Sequence, residues 1–330
     1  MAQSFYTGKK IVITGGLGFL GSAITHHLIP LNPKEIILLD AMLPLYGGNF
    51  FNIEEIKGLV RVEIADIRDT AILERILPGT DVIFHIAGQT SHVDSISAPL
   101  LDLDINCRGT LLLLEMCRKL APEVRIVYAG TRGQYGALQY LPVDELHPLA
   151  PLDIYGVHKQ AGEWYHIIYH NLYNLQVSCL RISNAYGPRH QMKHNRYGVL
   201  HWFIRLAMDG QDIPIYGEGK QLRDYTYVDD VAEAFLSVGV HASTIGNIYN
   251  VGNENALPLV EIIKEIISIV HQGTIQHLPW PEDRKKIEIG NFSTSCQSLY
   301  RTVGWEPKVS INEGLQKTVE FYQKYRKHYW

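Results

Sequence analysis

The chain has 330 residues, 46% of them hydrophobic and 19% charged, with a formal net charge of −4. That is enough apolar material for a large core and more than one lobe. The mildly acidic balance and the absence of a basic block argue against nucleic-acid or membrane-surface binding, and no apolar run approaches the ~18 residues of a membrane span.

The first ten residues carry no apolar segment of the kind that precedes a cleavage site, so no signal peptide is expected. Four cysteines (Cys107, Cys117, Cys179 and Cys296) show no C-x-x-C spacing and read as reduced thiols of a cytoplasmic protein. The fifteen histidines are scattered. The nearest approach to ligand spacing, His190 and His194, has no supporting acid, so no metal is expected.

Ile11, Val12 and Ile13 form a β-branched run that predicts a strand buried on both faces. Gly15, Gly18 and Gly21 follow, with Phe19 and Leu20 between the last two, and then Ile24, Leu28 and Ile29 recur at helix spacing. Strand, glycine turn and helix make a pyrophosphate site, because glycines leave room for the anion and the helix N-terminus presents free N–H groups. Taken alone, the glycines also suit an ordinary tight turn. The next strand, Ile36 to Leu39, ends in Asp40, placed to hold a ribose diol. No Arg or Lys follows closely to meet a 2′-phosphate, so the cofactor reads as NAD rather than NADP.

Residues 59–64 predict a third strand, running into Asp66 and Ile67. Asp66 suits either an adenine amino group or the cap of a helix from Thr70. Residues 81–87 predict a fourth strand, ending at Ala87 and Gly88, where small residues let a cofactor lie close, with Ser91 and His92 just beyond as expected substrate contacts. A long helix over about 101–120 contains Asn106, a further expected cofactor contact. A fifth strand over 124–128 runs into Thr131, a helix spans 155–173, and a sixth strand spans 176–182. This alternation predicts an α/β fold, a doubly wound parallel sheet with helices on both faces.

Beyond Ser183 the texture changes. Residues 184–190 read as a loop, 198–208 as an apolar helix, and 213–230 as a Gly- and Tyr-rich strand pair. The helix over 231–240 is expected to return to the first lobe. The division this predicts is a dinucleotide-binding lobe over 1–183, with 225–245 returning to it. A smaller α/β substrate lobe would be built from 184–224 and 246–330.

Tyr155 and Lys159 are four apart on a predicted helix, so their side chains share a face. A phenol with an ordinary pKa near ~10 is a poor base at neutral pH. A cation one turn away and a positively charged nicotinamide would stabilise its phenolate. Such a pair is also compatible with an ordinary surface contact, and Thr131 with a turn or cap.

Taken together, the chain resembles the extended short-chain dehydrogenase/reductase family, the group of UDP-galactose 4-epimerase and other nucleotide-sugar enzymes. The likeness runs nearly the full length. It is carried by residues 14–21, Asp40, Asp66-Ile67, residues 85–88, residues 106–110, Tyr155 to Lys159, residues 181–189 and residues 223–229. The resemblance implies a Rossmann lobe, a C-terminal substrate lobe, tightly held NAD and a homodimer. It implies a catalytic trio that lands on Thr131, Tyr155 and Lys159, with Lys159 also on the nicotinamide ribose. It further implies that Asn184, Arg223 and Arg284 grip a nucleotide diphosphate, although Arg284 equally suits an exposed salt bridge.

Thr131 is followed by Arg132 and Gly133, where related dehydratases carry an Asp-Glu pair. Neither residue moves a proton at neutral pH. That argues for epimerisation, most simply at C4 of a UDP-hexose. Arg132 either meets an acidic sugar or faces away, which keeps a UDP-uronate 4-epimerase open. The stretch His85 to Gln89 is equally similar to that of a CDP-sugar 2-epimerase. A nucleotide-sugar reductase or dehydrogenase and a non-catalytic NAD-binding scaffold are the remaining readings.

Overall fold

A computed structural model describes residues 2–282, 285 and 288–330. Its frame is one seven-stranded sheet. In chain order the strands are β1 (Lys10–Thr14), β2 (Glu35–Asp40), β3 (Arg61–Ile64), β4 (Val82–His85), β5 (Arg125–Thr131), β6 (Gln176–Ile182) and, across an excursion, a strand at Ile248–Val251. The spatial order is Ile248–Val251, β6, β5, β4, β1, β2, β3, with every pair parallel. The chain winds outward from β1 in both directions. The carboxyl ends of β1 and β4 therefore flank the switch point, where a ligand crevice forms.

The helices of this frame are α1 (Ala2–Tyr6), α2 (Phe19–Leu28), α3 (Thr70–Ile76), α4 (His92–Ser97), α5 (Pro99–Leu103), α6 (Gly109–Leu120) and α7 (Ile154–Tyr173). The single helix expected over 101–120 is in fact α5 and α6 joined through a π turn, Asp104–Arg108. Two apolar layers sandwich the sheet. One is built from Ile11, Ile13, Ile24, Leu28 and Phe84, the other from Val12, Ile37, Leu113, Leu114 and Val177. Successive residues of β1 thus enter opposite layers, as strand alternation requires.

Three sequence expectations change beyond residue 183. The stretch 184–190 begins with a strand, β7 (Asn184–Tyr186). The expected strand pair over 213–230 is three short strands, β8 (Asp212–Tyr216), β9 (Leu222–Arg223) and β10 (Tyr225–Tyr227), none paired with another. β10 pairs with β7, β9 with Leu257–Pro258, and β8 with Thr274–Leu278, in each case a distant partner. Finally, residues 246–330 do not all belong to the second lobe. Ile248–Val251 closes the main sheet beside β6, and Cys296, Leu299 and Trp305 pack into the first lobe's core. Alternation marks a strand, but it carries no information about which edge that strand joins.

The helix Val228–Val240 lies against α2, with Val231, Phe235 and Val238 in the same core. The second lobe has its own core. Leu200, Phe203 and Ile204 from the helix Val199–Met208 meet Ile213, Ile215, Ile262, Ile266, Leu315 and Val319. Among the described residues no helix is long and apolar enough to cross a membrane. The four cysteines are buried and unpaired.

Candidate active site between the lobes

A cavity of about 630 Å³ lies at the carboxyl ends of the strands, bounded by both lobes. Its first wall is the glycine turn. Gly15 has φ +69°, a left-handed conformation that favours glycine, and its N–H donates to the Leu39 carbonyl at 2.7 Å. Gly18 precedes α2 and makes no side-chain cap, and Gly18, Phe19 and Leu20 line the cavity. The first amides of α2 are thereby left for an anion. Gly21 does not line the cavity. A Cβ there would stand 2.2 Å from the Gly15 carbonyl oxygen, so this glycine lets helix and turn touch.

Asp40 ends β2 at the same wall. Its carboxylate accepts the N–H groups of Leu17 at 3.0 Å and Met42 at 2.9 Å. Burial raises its pKa, and those two bonds oppose the rise. Asp66 and Ile67 also line the cavity. Asp66 is gripped by the Arg68 guanidinium at 2.8 and 2.7 Å, which holds its carboxyl below the usual range. The cap of α3 is Asp69, which removes one of the two readings of Asp66.

Ala87 and Gly88 form the next stretch of wall. Asn106 and Ser91, both expected as direct ligand contacts, lie behind it. The Asn106 amide donates to the Gln89 carbonyl at 3.0 Å and accepts the Gln89 N–H at 3.1 Å. Asn106 therefore fixes the loop, and a Cβ on Gly88 would stand 2.8 Å from its Oδ1. It sits in the π turn, a distortion that often marks a functional position. Ser91 is buried and caps α4, accepting the Asp94 N–H at 3.1 Å. Both side chains are committed to backbone groups, a use that residue type alone does not reveal.

Thr131, Tyr155 and Lys159 line the cavity together. Thr131 ends β5, and its hydroxyl accepts the Gly133 N–H at 3.2 Å. Tyr155 stands in the first turn of α7, with Lys159 one turn on. Burial raises the Tyr155 phenol's pKa, against a hydrogen bond with Thr131 that lowers it. Burial also lowers Lys159 to about 8, against the Asp102 charge, which raises it. The lowering of the phenol expected from its lysine neighbour is thus reversed in the protein alone. Both groups are desolvated, and desolvation penalises each charged form.

His92 also lines the cavity, with its ring edge-on to Tyr155 at 5.0 Å between centroids. Its Nδ1 hydrogen-bonds to Asp153, which also caps α7 by accepting the Gly156 N–H at 2.8 Å. Asp153 was not singled out from the sequence. The available signal was an acid just before a helix that begins at the tyrosine.

On the opposite side, Arg132, Asn184 and Arg223 line the cavity. Arg132 donates through Nε to Asn184 Oδ1 at 3.1 Å and lies 5.1 Å above the Phe292 ring. Burial, and then the nearby Arg223 charge, lower its pKa. Asn184 donates to the Asp224 carbonyl at 2.9 Å. Arg223 is paired with Glu288, a partner the sequence reading missed. Arg284 lies outside the described residues. No cluster of three or more metal-ligating side chains occurs among the described residues.

A parallel sheet with a glycine turn at its switch point, an acid ending the second strand and a Thr, Tyr and Lys trio on one cavity define a dinucleotide-dependent enzyme class. The chain belongs to the NAD dependent epimerase/dehydratase family, whose model matches residues 11–252. A relative from Methanocaldococcus jannaschii, provisionally named a UDP-glucose 4-epimerase, is 37% identical over 94% of this chain and 97% of its own. The dTDP-glucose 4,6-dehydratase of Neisseria meningitidis is 29% identical over 95% of this chain and 93% of its own. The structure of UDP-glucose 4-epimerase with UDP-glucose from Thermotoga maritima superposes with a TM-score of 0.88 at 29% identity. It covers 96% of this chain and 99% of that one. The cofactor of the family is NAD.

Proposed function

We propose that the protein is an NAD-dependent nucleotide-sugar epimerase that inverts C4 of a UDP-hexose through a transient 4-keto sugar. The observation that carries this reading is the placement of Thr131, Tyr155 and Lys159 on the cavity that also holds the glycine turn and Asp40. When bound, NAD supplies a hydride acceptor and donor. Gly15, Gly18, Phe19 and Leu20 would hold its pyrophosphate, and Asp40 a ribose diol. Among the described residues, Ala41, Leu43, Tyr46, Gly47 and Gly48 follow Asp40 on this wall, and none of the five offers a cation to a 2′-phosphate. Asp66, Ile67, Ala87 and Gly88 would border the remainder.

Tyr155 takes the proton of the C4 hydroxyl and returns it, and Thr131 hydrogen-bonds the same oxygen. A phenol held neutral by burial needs added positive charge to act as a base. Lys159 and the oxidised nicotinamide, both cationic, would provide it in the loaded enzyme. Arg223, Arg132 and Asn184 stand on the side where the substrate lobe meets the cavity, and guanidinium forks suit diphosphate oxygens.

We also infer a homodimer. Val157, Trp164, Ile168 and Leu172 form one stripe along α7, beside Leu100 and Leu103 of α5. Trp164 is 49% exposed, Leu172 66% and Leu100 78%. A second copy of the same two-helix face would cover them, since both sides of a twofold contact present the same apolar row.

The test is incubation with UDP-glucose and a panel of UDP-, CDP-, GDP- and dTDP-hexoses, read by NMR. The expected result is an isomer of unchanged mass. A product lighter by water, or net accumulation of reduced cofactor, would refute the epimerase reading.

A further inference from the structure

His92 begins α4 at the edge of the cavity, and its ring is fixed on several sides. Nδ1 bonds to the Asp153 carboxylate. The ring edge meets Tyr155. A Cβ on Gly133 would stand 3.2 Å from Cε1, so the chain just past Thr131 closes against it. Nε2 has no protein partner among the described residues, while the side chain keeps 38% exposure in the cavity wall. Asp153 is fixed in turn by the Gly156 N–H. Burial works to raise its pKa, but the His92 and Gly156 hydrogen bonds leave it below the usual range.

A carboxylate on one imidazole nitrogen sets the tautomer, leaving the other nitrogen to exchange a proton. We propose that His92, oriented by Asp153, is a second proton-transfer group of this site, acting on a sugar ring carbon next to the one that Tyr155 serves. This rests on the 4-keto intermediate of the proposed function.

A ketone at C4 acidifies the hydrogens on C3 and C5. Nε2 takes one of them as a proton, and the C–H electron pair becomes a C=C bond. The carbonyl π pair moves onto the C4 oxygen, where Tyr155 and Thr131 hydrogen-bond the developing charge. The reverse step returns a proton from the imidazolium to the same carbon. Nothing is oxidised or reduced in this step, and no co-reactant is consumed. Arg132 and Gly133 supply no acid or base after Thr131, and His92 on α4 with Asp153 at the cap of α7 brings one to the cavity from elsewhere in the chain.

A proton resting on an imidazole open to the cavity exchanges with water. Hydride shuttling alone leaves every carbon-bound hydrogen of the sugar in place. The experiment is turnover of UDP-glucose in D2O, with the recovered nucleotide sugars read by NMR for the isomer and by NMR and mass for deuterium. Wild type is expected to place deuterium on C3 or C5. In His92→Gln that exchange falls by about 100-fold or more, far beyond any fall in isomer formation. Asp153→Ser keeps an oxygen to cap α7 and is expected to slow exchange in the same selective way. Isomer formation without carbon-bound deuterium in wild type overturns the inference and leaves the proposed function standing. Equal exchange in wild type and His92→Gln also overturns it. No isomer from UDP-glucose or any hexose of the panel overturns the proposed function and this inference with it.

Discussion

The Lys159 ammonium stands 4.3 Å from the centre of the Tyr128 ring, so the buried cation rests on an aromatic face. The Tyr128 hydroxyl donates back to the Lys159 carbonyl at 3.3 Å, which ties strand β5 to helix α7. The ring's negative face offsets part of the desolvation that lowers Lys159 to about 8. Removing that face disfavours the cation, so the pKa falls further. Tyr128→Leu is therefore expected to move the alkaline limb of the activity profile down by about one pH unit, a cation–π contribution of about 1–2 kcal/mol. An unmoved limb would mean that the ring does not support the charge.

Tyr155→Phe keeps the ring edge against His92 and removes only the hydroxyl. Turnover is expected to fall by about 100-fold to 10,000-fold, the usual scale of a lost general acid–base. NAD should remain bound through gel filtration, because the glycine turn and Asp40 are untouched. Activity near wild type would remove Tyr155 from proton transfer.

Gly21 has no room for a side chain, since even a Cβ would overlap the Gly15 carbonyl oxygen at 2.2 Å. Gly21→Val must push α2 away from the turn that it supports. The expected cost is about 1–3 kcal/mol of stability, with loss of NAD from the purified protein. A fully loaded variant with an unchanged melting temperature would contradict this close packing.

His166 is fully buried, stacked on Tyr128, with Nδ1 on the Gly162 carbonyl at 2.7 Å. Burial lowers its pKa from 6.5 to about 3. Between those values the unfolded chain takes up a proton that the folded one does not. Stability therefore rises with pH across this window, and is lost as the pH falls from 6.5 toward 3. His166→Phe removes that uptake. The slope of unfolding free energy against pH, measured from about pH 4 to about pH 6, should drop by about 1.4 kcal/mol per pH unit. An unchanged slope would show that His166 already titrates in the folded state.

Trp164 lies in the middle of the exposed apolar stripe of α7. Trp164→Glu places a charge where a second copy is expected to pack, which costs several kcal/mol if the position is desolvated. Sedimentation should show a dimer for wild type and a monomer for the variant. A monomeric wild type at micromolar concentration would dismiss the twofold contact.

The first lobe was legible because its signals are local. Ile11 to Ile13, the glycines after them and Asp40 announce a strand, a turn and the acid that ends the next strand within thirty residues, and each constraint acts between near neighbours in the chain. Tyr155 and Lys159 were legible for the same reason, since helix periodicity alone puts them on one face.

Tertiary structure decided what depends on distant partners or on burial. It sent Ile248–Val251 to the main sheet and paired β8 with Thr274–Leu278, because strand pairing joins segments that local periodicity does not connect. It placed the Asn106 and Ser91 side chains on backbone groups behind the cavity wall, and brought Asp153 to His92. It also set the direction of the Tyr155 shift. A residue's type gives its ordinary pKa, but the loss of water around it is a property of the folded whole.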